Sequence, residues 1–379
     1  MQEALAFFVG GEHLFVGTII PFLFVLTVVV FVHEMGHYLV GRWCGIGAQA
    51  FSIGFGPELV GFTDRRGTRW KLSLIPLGGY VKFIGDESAT SSPVGVNDDG
   101  LSEEQRRHAF HAQAVWKRAA TVFAGPAANI LLTIAIFSVL FALYGRQVAD
   151  PLVAAVQPGS PAAAAGFEPG DRFISVNGEK VDTFADVQRI VSGRAGDRLR
   201  FTVERNGKMI DLQAVPAEVE RTDPLGNKIK LGAIGVETTQ AVGNFRRIEY
   251  SPLESVGQAA LETGYMIGRT GEFFRRFAAG REDKCQLGGP VKIATMAGEA
   301  AKQGFGWLIQ LTAMLSVGIG ILNLFPLPPL DGGHLVFYAL EALKRGPVSA
   351  RAQEIVYRAG FLLVLGFMGF VLFNDLFAC

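Results

Sequence analysis

Two histidines and a glutamate lie close together in an apolar stretch that covers residues 18–39. His33, Glu34 and His37 form the pattern His-Glu-x-x-His, and the stretch has no other charged side chain. Positions four apart lie on one face of a helix, so the two imidazoles could bind one Zn²⁺ while the carboxylate reaches a water at the metal. The pattern therefore predicts metal-assisted hydrolysis, with His33 and His37 as ligands and Glu34 as general base.

The depth of this pattern in the apolar stretch favours a functional site. Arg42 marks the end of the stretch, and at about 1.5 Å per residue His33 lies roughly 13 Å inside it. A carboxylate at the centre of a spanning helix costs about 2.5–3.5 kcal/mol, so Glu34 needs a partner or a function. The alternative interpretation is a polar cluster that only holds helices together.

A third metal ligand is predicted from the other end of the chain. A catalytic zinc usually has three protein ligands and one open position. Asp331 ends the third apolar segment, after Pro326, Pro328 and Pro329, which forbid a regular helix. Irregular backbone at membrane depth is tolerated only where protein or a water-filled cavity satisfies it. Asp331 is thus the predicted third ligand, beside the cavity that a hydrolase requires.

Asn323 lies at the start of the same proline-containing segment. A side-chain amide there could donate a hydrogen bond to the oxyanion that forms when a peptide carbonyl is attacked. The alternative is an asparagine that packs between helices and bonds to a neighbouring backbone.

Composition indicates a membrane protein. The 379 residues are 49% hydrophobic and 18% charged, and the zero net charge argues against a nucleic-acid partner. Four segments are apolar enough to span a bilayer: 18–40, 119–144, 307–325 and 359–373.

Charged loops predict the orientation of these spans. Lysines and arginines are frequent in residues 42–118 and 344–358, which places both loops in the cytoplasm. The termini and residues 145–306 then lie outside. The N-terminus has Glu3 and Glu12 but no basic residue, so the first span is expected to be retained. Cys44, Cys285 and Cys379 have no metal-ligand spacing and are interpreted as incidental thiols.

These signals predict an α-helical polytopic membrane protein with eight consecutive regions. They are a first transmembrane helix (1–41), a cytoplasmic loop (42–118), a second helix (119–145), a mostly-β domain (150–217), external amphipathic helices (218–306), a third transmembrane segment (307–333), a cytoplasmic loop (334–358) and a fourth helix (359–379).

The external region contains short alternating strands separated by turn signals between residues 150 and 216. The order VQPGSPAAAAGFEPGDR, followed by VNG, resembles the PDZ domains attached to bacterial envelope proteases. Such domains add a peptide strand to an exposed edge, and the resemblance suggests residues 151–156 as the receiving strand. Whether the domain binds a peptide or blocks access stays open.

The two signatures around His33 and Asp331 are similar to those of the site-2 protease family of intramembrane zinc metalloproteases. Further segments resemble its regulator-of-sigma-E protease branch: 51–57 (FSIGFGP), 76–82 (PLGGYVK), 124–129 (AGPAAN) and 347–349 (PVS). The similarity covers nearly the whole chain. That branch often has two tandem PDZ domains, whereas turn signals for one are present here.

This resemblance implies a zinc endopeptidase of the bacterial inner membrane that cuts single-pass membrane proteins. The expected substrates are an anti-sigma factor already trimmed by another protease, or a remnant signal peptide. The resemblance thus implies a role in regulated intramembrane proteolysis during the envelope stress response. The partners are the bilayer, the substrate and a peptide ligand of the PDZ domain. The PDZ domain would lie in the periplasm and the active site nearer the cytoplasmic face.

The peptide groups of a substrate helix are engaged in the hydrogen bonds of that helix, so the helix must be unwound before it is cut. The sequence predicts a β-hairpin, with strands at 68–75 and 80–84 and a turn at Gly78-Gly79. This hairpin could extend toward the active site and pair with an extended substrate. The alternative is an ordinary cytoplasmic hairpin.

Two functions from other classes stay open at the sequence level. A zinc transporter also uses His and Asp in spanning helices, and a membrane scaffold could use its histidines for structure alone. His334 is expected to face away from the site, His108 and His111 to lie on the surface, and His13 has no assigned role.

Overall fold

The computed structural model describes residues 15–85, 102–222, 228–238, 246–278 and 287–378. His13, Cys285 and Cys379 lie outside the described residues. The chain divides into two compact units. Unit 1 comprises residues 1–138, 256–278 and 287–379, and unit 2 comprises residues 139–255 and 279–286.

Ten α-helices are found among the described residues. They are α1 (Ile20–Trp43), α2 (Glu103–Arg107), α3 (Val115–Tyr144), α4 (Pro161–Ala165), α5 (Phe184–Ser192), α6 (Pro252–Ala278), α7 (Pro290–Gln303), α8 (Phe305–Asn323), α9 (Asp331–Lys344) and α10 (Ala350–Phe373). Short π-helical segments, Phe15–Ile19 and Asn374–Ala378, extend α1 at its start and α10 at its end.

The described strands are β1 (Ala48–Thr63), β2 (Arg69–Phe83), β3 (Arg146–Val148), β4 (Val153–Val156), β5 (Arg172–Val176), β6 (Glu179–Lys180), β7 (Leu199–Arg205), β8 (Lys208–Ala214), β9 (Ala217–Thr222), β10 (Lys228–Ala233), β11 (Val236–Thr238) and β12 (Arg246–Ile248).

Within the described residues, four helical stretches are long and apolar enough to cross a membrane: Val16–Trp43, Val115–Tyr144, Phe305–Asn323 and Ala350–Phe377. This confirms the four apolar segments predicted from the sequence. The second and fourth helices begin several residues before their apolar parts, because long basic side chains such as Lys117 and Arg351 can extend along a helix toward water. The third helix ends at Asn323, before the prolines.

The first three of these helices pack closely in unit 1. Helix α1 has one buried stripe in which every fourth residue is buried, namely Pro21, Val25, Val29 and His33. Where α1 meets α3, a Cβ at Gly36 would overlap the Ala124 carbonyl oxygen and lie 2.8 Å from the Cβ of Ala128. Glycine thus allows the two backbones to approach, as small residues do in membrane helix pairs.

Buried hydroxyls join α3 to α8. Thr133 Oγ1 donates to the Ala313 carbonyl oxygen over 2.9 Å, and Ser316 Oγ donates to the Asn129 carbonyl oxygen over 2.9 Å. Thr133, Ser316 and Asn129 are fully buried. Interhelical hydrogen bonds of this kind stabilise association in lipid, where apolar contacts between helices bring little gain.

Strands β1 and β2 form a sheet of four antiparallel segments. The first part of β1, residues 48–53, pairs with residues 79–83 on one side and residues 69–72 on the other, while residues 58–63 pair with 69–73. The predicted hairpin with a turn at Gly78-Gly79 is therefore wrong. Residues 69–75 and 79–83 do not pair with each other because β1, which the sequence did not identify as a strand, lies between them.

The turn between β1 and β2 is fixed to α1. Asp64 accepts hydrogen bonds from the backbone of Arg66 and Thr68, from Trp70 Nε1 over 3.0 Å and from the Tyr38 hydroxyl over 3.4 Å. Large apolar side chains on the distal part of the sheet are exposed, among them Leu59, Val60 and Phe62. Such a patch is typical of a surface that meets lipid or another protein.

Helix α7 packs against the start of α1, with Ala297 in one apolar cluster with Val25 and Val29. Its N-terminus has no side-chain cap of its own. Asp375 provides one, because its carboxylate accepts from the backbone N–H groups of Gly289 over 3.0 Å and Lys292 over 3.2 Å. The predicted cytoplasmic loop 334–358 contains most of α9 rather than irregular chain.

Unit 2 contains the region predicted as a mostly-β domain. A four-stranded antiparallel sheet has the order β6-β5-β7-β8, and separate pairs are formed by β4 with β11, β9 with β10 and β3 with β12. Its buried core includes Val153, Phe173, Phe201 and Val203. Strands β9 to β12 occupy the first part of the region 218–306, which was predicted to contain external amphipathic helices. The helices of that region are α6, from Pro252, and α7, from Pro290, where the amphipathic pattern of the sequence predicts them.

The predicted receiving strand, residues 151–156, is partly paired on both sides. Val153 exchanges backbone hydrogen bonds with Gly170 and Asp171, and β4 pairs with β11 along residues 153–156. The expectation is therefore wrong for residues 151–153, which also pair with residues 170–173. It stays a prediction for residues 154–156, whose described partner is β11, 80 residues further along the chain. In the described part of unit 2, β11 pairs with β4 alone and leaves its second edge unpaired.

Candidate metal centre

Three predicted ligands converge in unit 1. His33 Nε2 lies 3.1 Å from His37 Nε2 and 3.1 Å from Asp331 Oδ2, and His37 Nε2 lies 3.6 Å from Asp331 Oδ2. The side chains are 9%, 12% and 18% exposed for His33, His37 and Asp331. Three ligand atoms therefore converge on one point, although Asp331 lies 298 positions after His33 in the chain.

These distances fit a zinc ion. Ligands bonded to Zn²⁺ at about 2.1 Å in a tetrahedral arrangement lie about 3.4 Å from each other. The three observed separations bracket that value. Asp331 Oδ2 is also buried without a hydrogen-bond donor among the described residues, which leaves a negatively charged acceptor in need of a cation. Two imidazoles and a carboxylate are a donor set common in catalytic zinc sites.

Helix α3 orients the ring of His37. Its Nδ1 lies 2.9 Å from the Thr121 carbonyl oxygen, which can only accept, so Nδ1 carries the proton and donates it. The lone pair of Nε2 then points toward Asp331 Oδ2. A backbone carbonyl behind a ligand histidine is the usual way to fix its tautomer.

Glycines leave the room that this arrangement needs. A Cβ at Gly125 of α3 would overlap His37 Nε2 and would lie 2.9 Å from His33 Cε1. Cβ atoms at Gly332 and Gly333 would overlap the backbone of the proline segment, at Phe325 and Pro328. The first turn of α9, which carries Asp331, can therefore pack against residues 324–330 only with glycine at these positions.

An ion pair holds α9 against α3. Arg118 Nη2 donates to Glu341 Oε1 over 2.7 Å, and its guanidinium lies 5.1 Å from the ring centre of Tyr338. The Arg118 and Glu341 side chains are 14% and 18% exposed. Charge and cation–π contacts together orient the helix that carries Asp331.

Glu34 and Asn323 line the same cavity, whose volume is about 240 Å³. Asn323 Nδ2 lies 3.4 Å from His33 Nε2, and the backbone N–H of Val81 in β2 bonds to the Glu34 carboxylate. A Cβ at Gly79 would lie 3.3 Å from Glu34 Cγ, so the edge of β2 passes directly over the predicted base. The structure thus brings all five predicted site residues together.

His334 also lines this cavity and is 3% exposed. The expectation that it faces away was wrong. Asp331 and His334 are three apart on α9 and so share a face of that helix, which the two glycines between them do not interrupt. His108 is exposed, as expected, and its Nδ1 lies 2.7 Å from the Gly45 carbonyl oxygen, while His111 is half-buried.

Sequence reasoning missed the residues of α3 behind the ligands. Thr121 acts through its backbone, which no side-chain pattern reveals. Gly125 and Asn129 lie in the segment 124–129, which was noticed only as part of the resemblance. A buried asparagine in an apolar helix was the available signal, since such a group needs a partner.

Comparison with known proteins indicates the same class of chemistry. Residues 21–367 match the family described as peptidase family M50. A Brucella suis protein that carries the name zinc metalloprotease is 84% identical over all 379 residues and the full length of both chains. The Mesorhizobium japonicum protein with the same description is 66% identical over 97% of this chain and 100% of its own.

A more distant relative, metalloprotease MmpA of Caulobacter vibrioides, is 40% identical over 94% of this chain and 95% of its own. Among solved structures, the PDZ domain of an SdrC-like protein from Listeria monocytogenes matches 24% of this chain and 88% of its own, at 16% identity and a TM-score of 0.20. That score does not establish a shared fold, so the PDZ assignment of unit 2 stays a prediction.

Proposed function

We propose that this chain, which belongs to peptidase family M50 and is a zinc metallopeptidase, cleaves peptide bonds within the membrane at the cavity formed by α1, α3, α8 and α9. The observation that carries the proposal is the convergence of His33, His37 and Asp331 beside Glu34 in helices long enough to span a bilayer. Family membership excludes the transporter and scaffold alternatives as the main activity.

In this proposal His33, His37 and Asp331 hold the zinc. When bound, zinc polarises the carbonyl of the peptide bond and makes the attacking water more acidic. His37 contributes Nε2 because its Nδ1 proton is donated to Thr121. Asp331 contributes Oδ2, which lies within 3.6 Å of both imidazole nitrogens.

Glu34 is the proposed general base. Its carboxylate lines the cavity on the same helix face as the ligands, so it can take a proton from the attacking water and pass it to the leaving amine. The Val81 N–H bonded to it orients the carboxylate. Asn323 Nδ2, at the end of α8, is the proposed donor to the oxygen that becomes negative during attack.

The edge of β2 is the proposed docking strand for the substrate. Residues 79–83 form an edge of the sheet in the described part of unit 1, and they pass beside Glu34. An extended peptide could add there by backbone hydrogen bonds, which would hold an unwound segment against the site. Gly78 and Gly79 line the cavity without side chains, which leaves room for the peptide backbone.

The proposed substrates are single-pass membrane proteins, either an anti-sigma factor trimmed by a first external cut or a remnant signal peptide. The four apolar helices and the bacterial relatives support a multi-pass protein of a bacterial inner membrane. In this arrangement unit 2 is a periplasmic PDZ domain that selects trimmed substrates, by binding a peptide end at an edge such as β11 or by size. The cavity lies nearer the cytoplasmic face.

The deciding experiment compares the wild type with Glu34→Gln and with the control Glu104→Gln, which alters an exposed glutamate of α2. All three proteins are expressed in cells, and trimmed membrane-protein fragments are identified by mass spectrometry. Zinc content is measured on each purified protein.

Glu34→Gln should retain zinc and lower cleavage by about 10²–10⁴-fold, since it removes a general base and no ligand. A fragment that accumulates only with Glu34→Gln identifies a substrate. Cleavage at the wild-type rate by Glu34→Gln would refute the assignment of the base.

A further inference from the structure

We propose that Asn129 is a positioning residue that fixes the tautomer of His33, by accepting the Nδ1 proton of that imidazole on its side-chain oxygen. The inference rests on the proposed function in one respect, namely that His33 is a zinc ligand. It assigns a role to a residue of α3 that touches neither substrate nor metal.

The contact itself is direct. Asn129 is fully buried, and its amide group faces the ring edge of His33, with Asn129 Nδ2 3.4 Å from His33 Nδ1. Asn129 Oδ1 is buried and has no hydrogen-bond partner among the described residues. A buried acceptor without a donor is uncommon and calls for an explanation.

Rotation of the amide by 180° resolves this. The oxygen and nitrogen of an asparagine amide are assigned from the surrounding hydrogen bonds and can be exchanged. After exchange Oδ1 faces His33 Nδ1 and accepts its proton, so the orphaned acceptor gains a donor. In the other orientation Nδ1 would have to accept, and the ring proton would lie on Nε2.

The position of the proton decides whether His33 can bind metal. His33 Nε2 is the atom that lies 3.1 Å from both His37 Nε2 and Asp331 Oδ2, so it must present a lone pair and not a proton. A proton on Nδ1, held by Asn129, leaves that lone pair free. His37 has the same arrangement, with Nδ1 on the Thr121 carbonyl oxygen.

One helix therefore supplies both partners behind the ligand pair. Thr121 and Asn129 are eight residues apart on α3, and the Asn129 backbone is held to α8 through Ser316. Residues that orient a ligand in this way usually change metal affinity 10–100-fold when they are removed.

The test measures zinc affinity of the purified full chain in detergent, by competition with a chromophoric chelator, and the visible spectrum of the Co²⁺-loaded protein. Asn129→Leu has similar volume and no acceptor, whereas Asn129→Asp keeps an oxygen and has no donor amide. Thr133→Val is the matched control, since it removes buried hydrogen bonds to the backbone oxygens of Asn129 and Ala313 and keeps the Asn129 side chain.

Asn129→Leu should weaken zinc binding about 10–100-fold and perturb the Co²⁺ spectrum. Asn129→Asp and Thr133→Val should bind zinc like the wild type. Wild-type affinity in Asn129→Leu would overturn the proposal, and so would an equal loss in Asn129→Asp, because the amide nitrogen would then be the required group.

A measurement on the wild type does not depend on how these variants fold. In the zinc-loaded protein with ¹⁵N-labelled histidine, the Nδ1 proton of His33 should resonate downfield, as a proton donated to a buried oxygen does. The chemical shift of a free imidazole N–H at that position would contradict the proposal. His33→Ala separates the two levels of inference. If it leaves zinc affinity unchanged, the ligand set fails, whereas loss in His33→Ala without loss in Asn129→Leu refutes only the role of Asn129.

Discussion

At the scale of single residues, the metal centre depends as much on absent side chains as on ligands. Gly125 faces both histidines, and Gly36 lets α1 approach α3 closely enough for Thr121 to reach His37. Glycine is unfavourable in a helix by about 0.5–1 kcal/mol relative to alanine. Its presence here reflects the close packing that the imidazoles require.

A methyl group at Gly125 should therefore disable the site. In Gly125→Ala the new Cβ overlaps His37 Nε2, so the imidazole must move out of the ligand position. We expect zinc loss and at least about a 100-fold drop in peptide cleavage, since displacements near 1 Å cost that much. Zinc content and cleavage of a reporter substrate measure the effect.

Gly318→Ala provides the control, because it makes the same change in α8 where nothing lies within 4 Å. It should leave both quantities at the wild-type level. If Gly125→Ala kept its zinc and its activity, the overlap with His37 would have to be relieved by movement of α3, and the assigned packing would be wrong.

At the scale of elements, the sheet of β1 and β2 places the proposed docking strand beside the long apolar helices. Its inner edge, residues 79–83, lies beside Glu34, while its outer segment, residues 58–63, carries exposed apolar side chains. Ser52 and Ser73 are buried within it and bonded over 3.0 Å, and Asp64 fixes its turn to Tyr38. The sheet is thus held rigidly enough to present an edge to a peptide.

A proline at position 79 tests that edge. Gly79→Pro removes a backbone N–H. It also adds a ring at a position where a Cβ alone would lie 2.8 Å from the Ser52 carbonyl oxygen. We expect cleavage of a transmembrane substrate to fall strongly while zinc affinity stays unchanged, because the ligands lie on α1 and α9.

The matched change at the outer segment is Gly61→Pro, which should impair cleavage much less. Equal loss from both variants would point to general unfolding of the sheet instead of a docking edge. Wild-type cleavage by Gly79→Pro would remove the strand from the mechanism.

At the scale of the whole molecule, the two units are stabilised by different chemistry. Unit 1 has a candidate metal centre and interhelical hydrogen bonds. Unit 2 has a buried ion pair, in which Asp171 accepts from Arg205 Nε over 2.6 Å and from Arg205 Nη2 over 2.8 Å, and also from the backbone N–H of Glu168. Asp171 is fully buried and Arg205 is 20% exposed.

Acid should therefore destabilise unit 2. Burial alone would raise the pKa of Asp171, but the hydrogen bonds from Arg205 and Glu168 and the charge of Arg205 outweigh it, so the pKa lies below its ordinary value of 3.8. A carboxyl with a depressed folded pKa contributes stability above its unfolded pKa, and that stability is lost as the pH falls through the folded value. The loss is expected below about pH 4.

Calorimetry of the full chain measures this. The transition of unit 2 should shift to lower temperature as the pH falls from about 5 to about 3. Asp171→Asn should be less stable at pH 7 and should lose less on acidification, whereas the exposed Asp197→Asn should behave as wild type. An identical pH response in Asp171→Asn would exclude this ion pair as the cause.

Orientation in the membrane is also a property of the whole chain, and the proposed orientation rests on loop charge. In a cysteine-free background, Arg194→Cys in unit 2 should react with a membrane-impermeant maleimide on intact cells with a permeable outer membrane. Lys344→Cys at the end of α9 should react only after lysis. The reverse pattern would invert the proposed topology.

The sequence by itself determined the chemistry and the class of protein. His33 and His37 have the spacing of one helical turn, with Glu34 between them. The periodicity of a helix and the length of an apolar segment can be read from residues that are neighbours in the chain. Asp331 was found because a carboxylate after three prolines in an apolar segment needs a reason. Family membership confirms the predicted class, a zinc metallopeptidase, while the roles of these residues stay predictions.

The tertiary structure alone decided which distant groups meet. Contacts between segments far apart in the chain set three features. These are the pairing of β1 with both parts of β2, the pairing of β4 with β11, and the inward position of His334. The partners behind the ligands, a Thr121 carbonyl and the Asn129 amide, became visible only when α3 was packed against α1. Side-chain periodicity is local, whereas strand partners and hydrogen-bond acceptors are set by which surfaces pack together, and no local pattern encodes that choice.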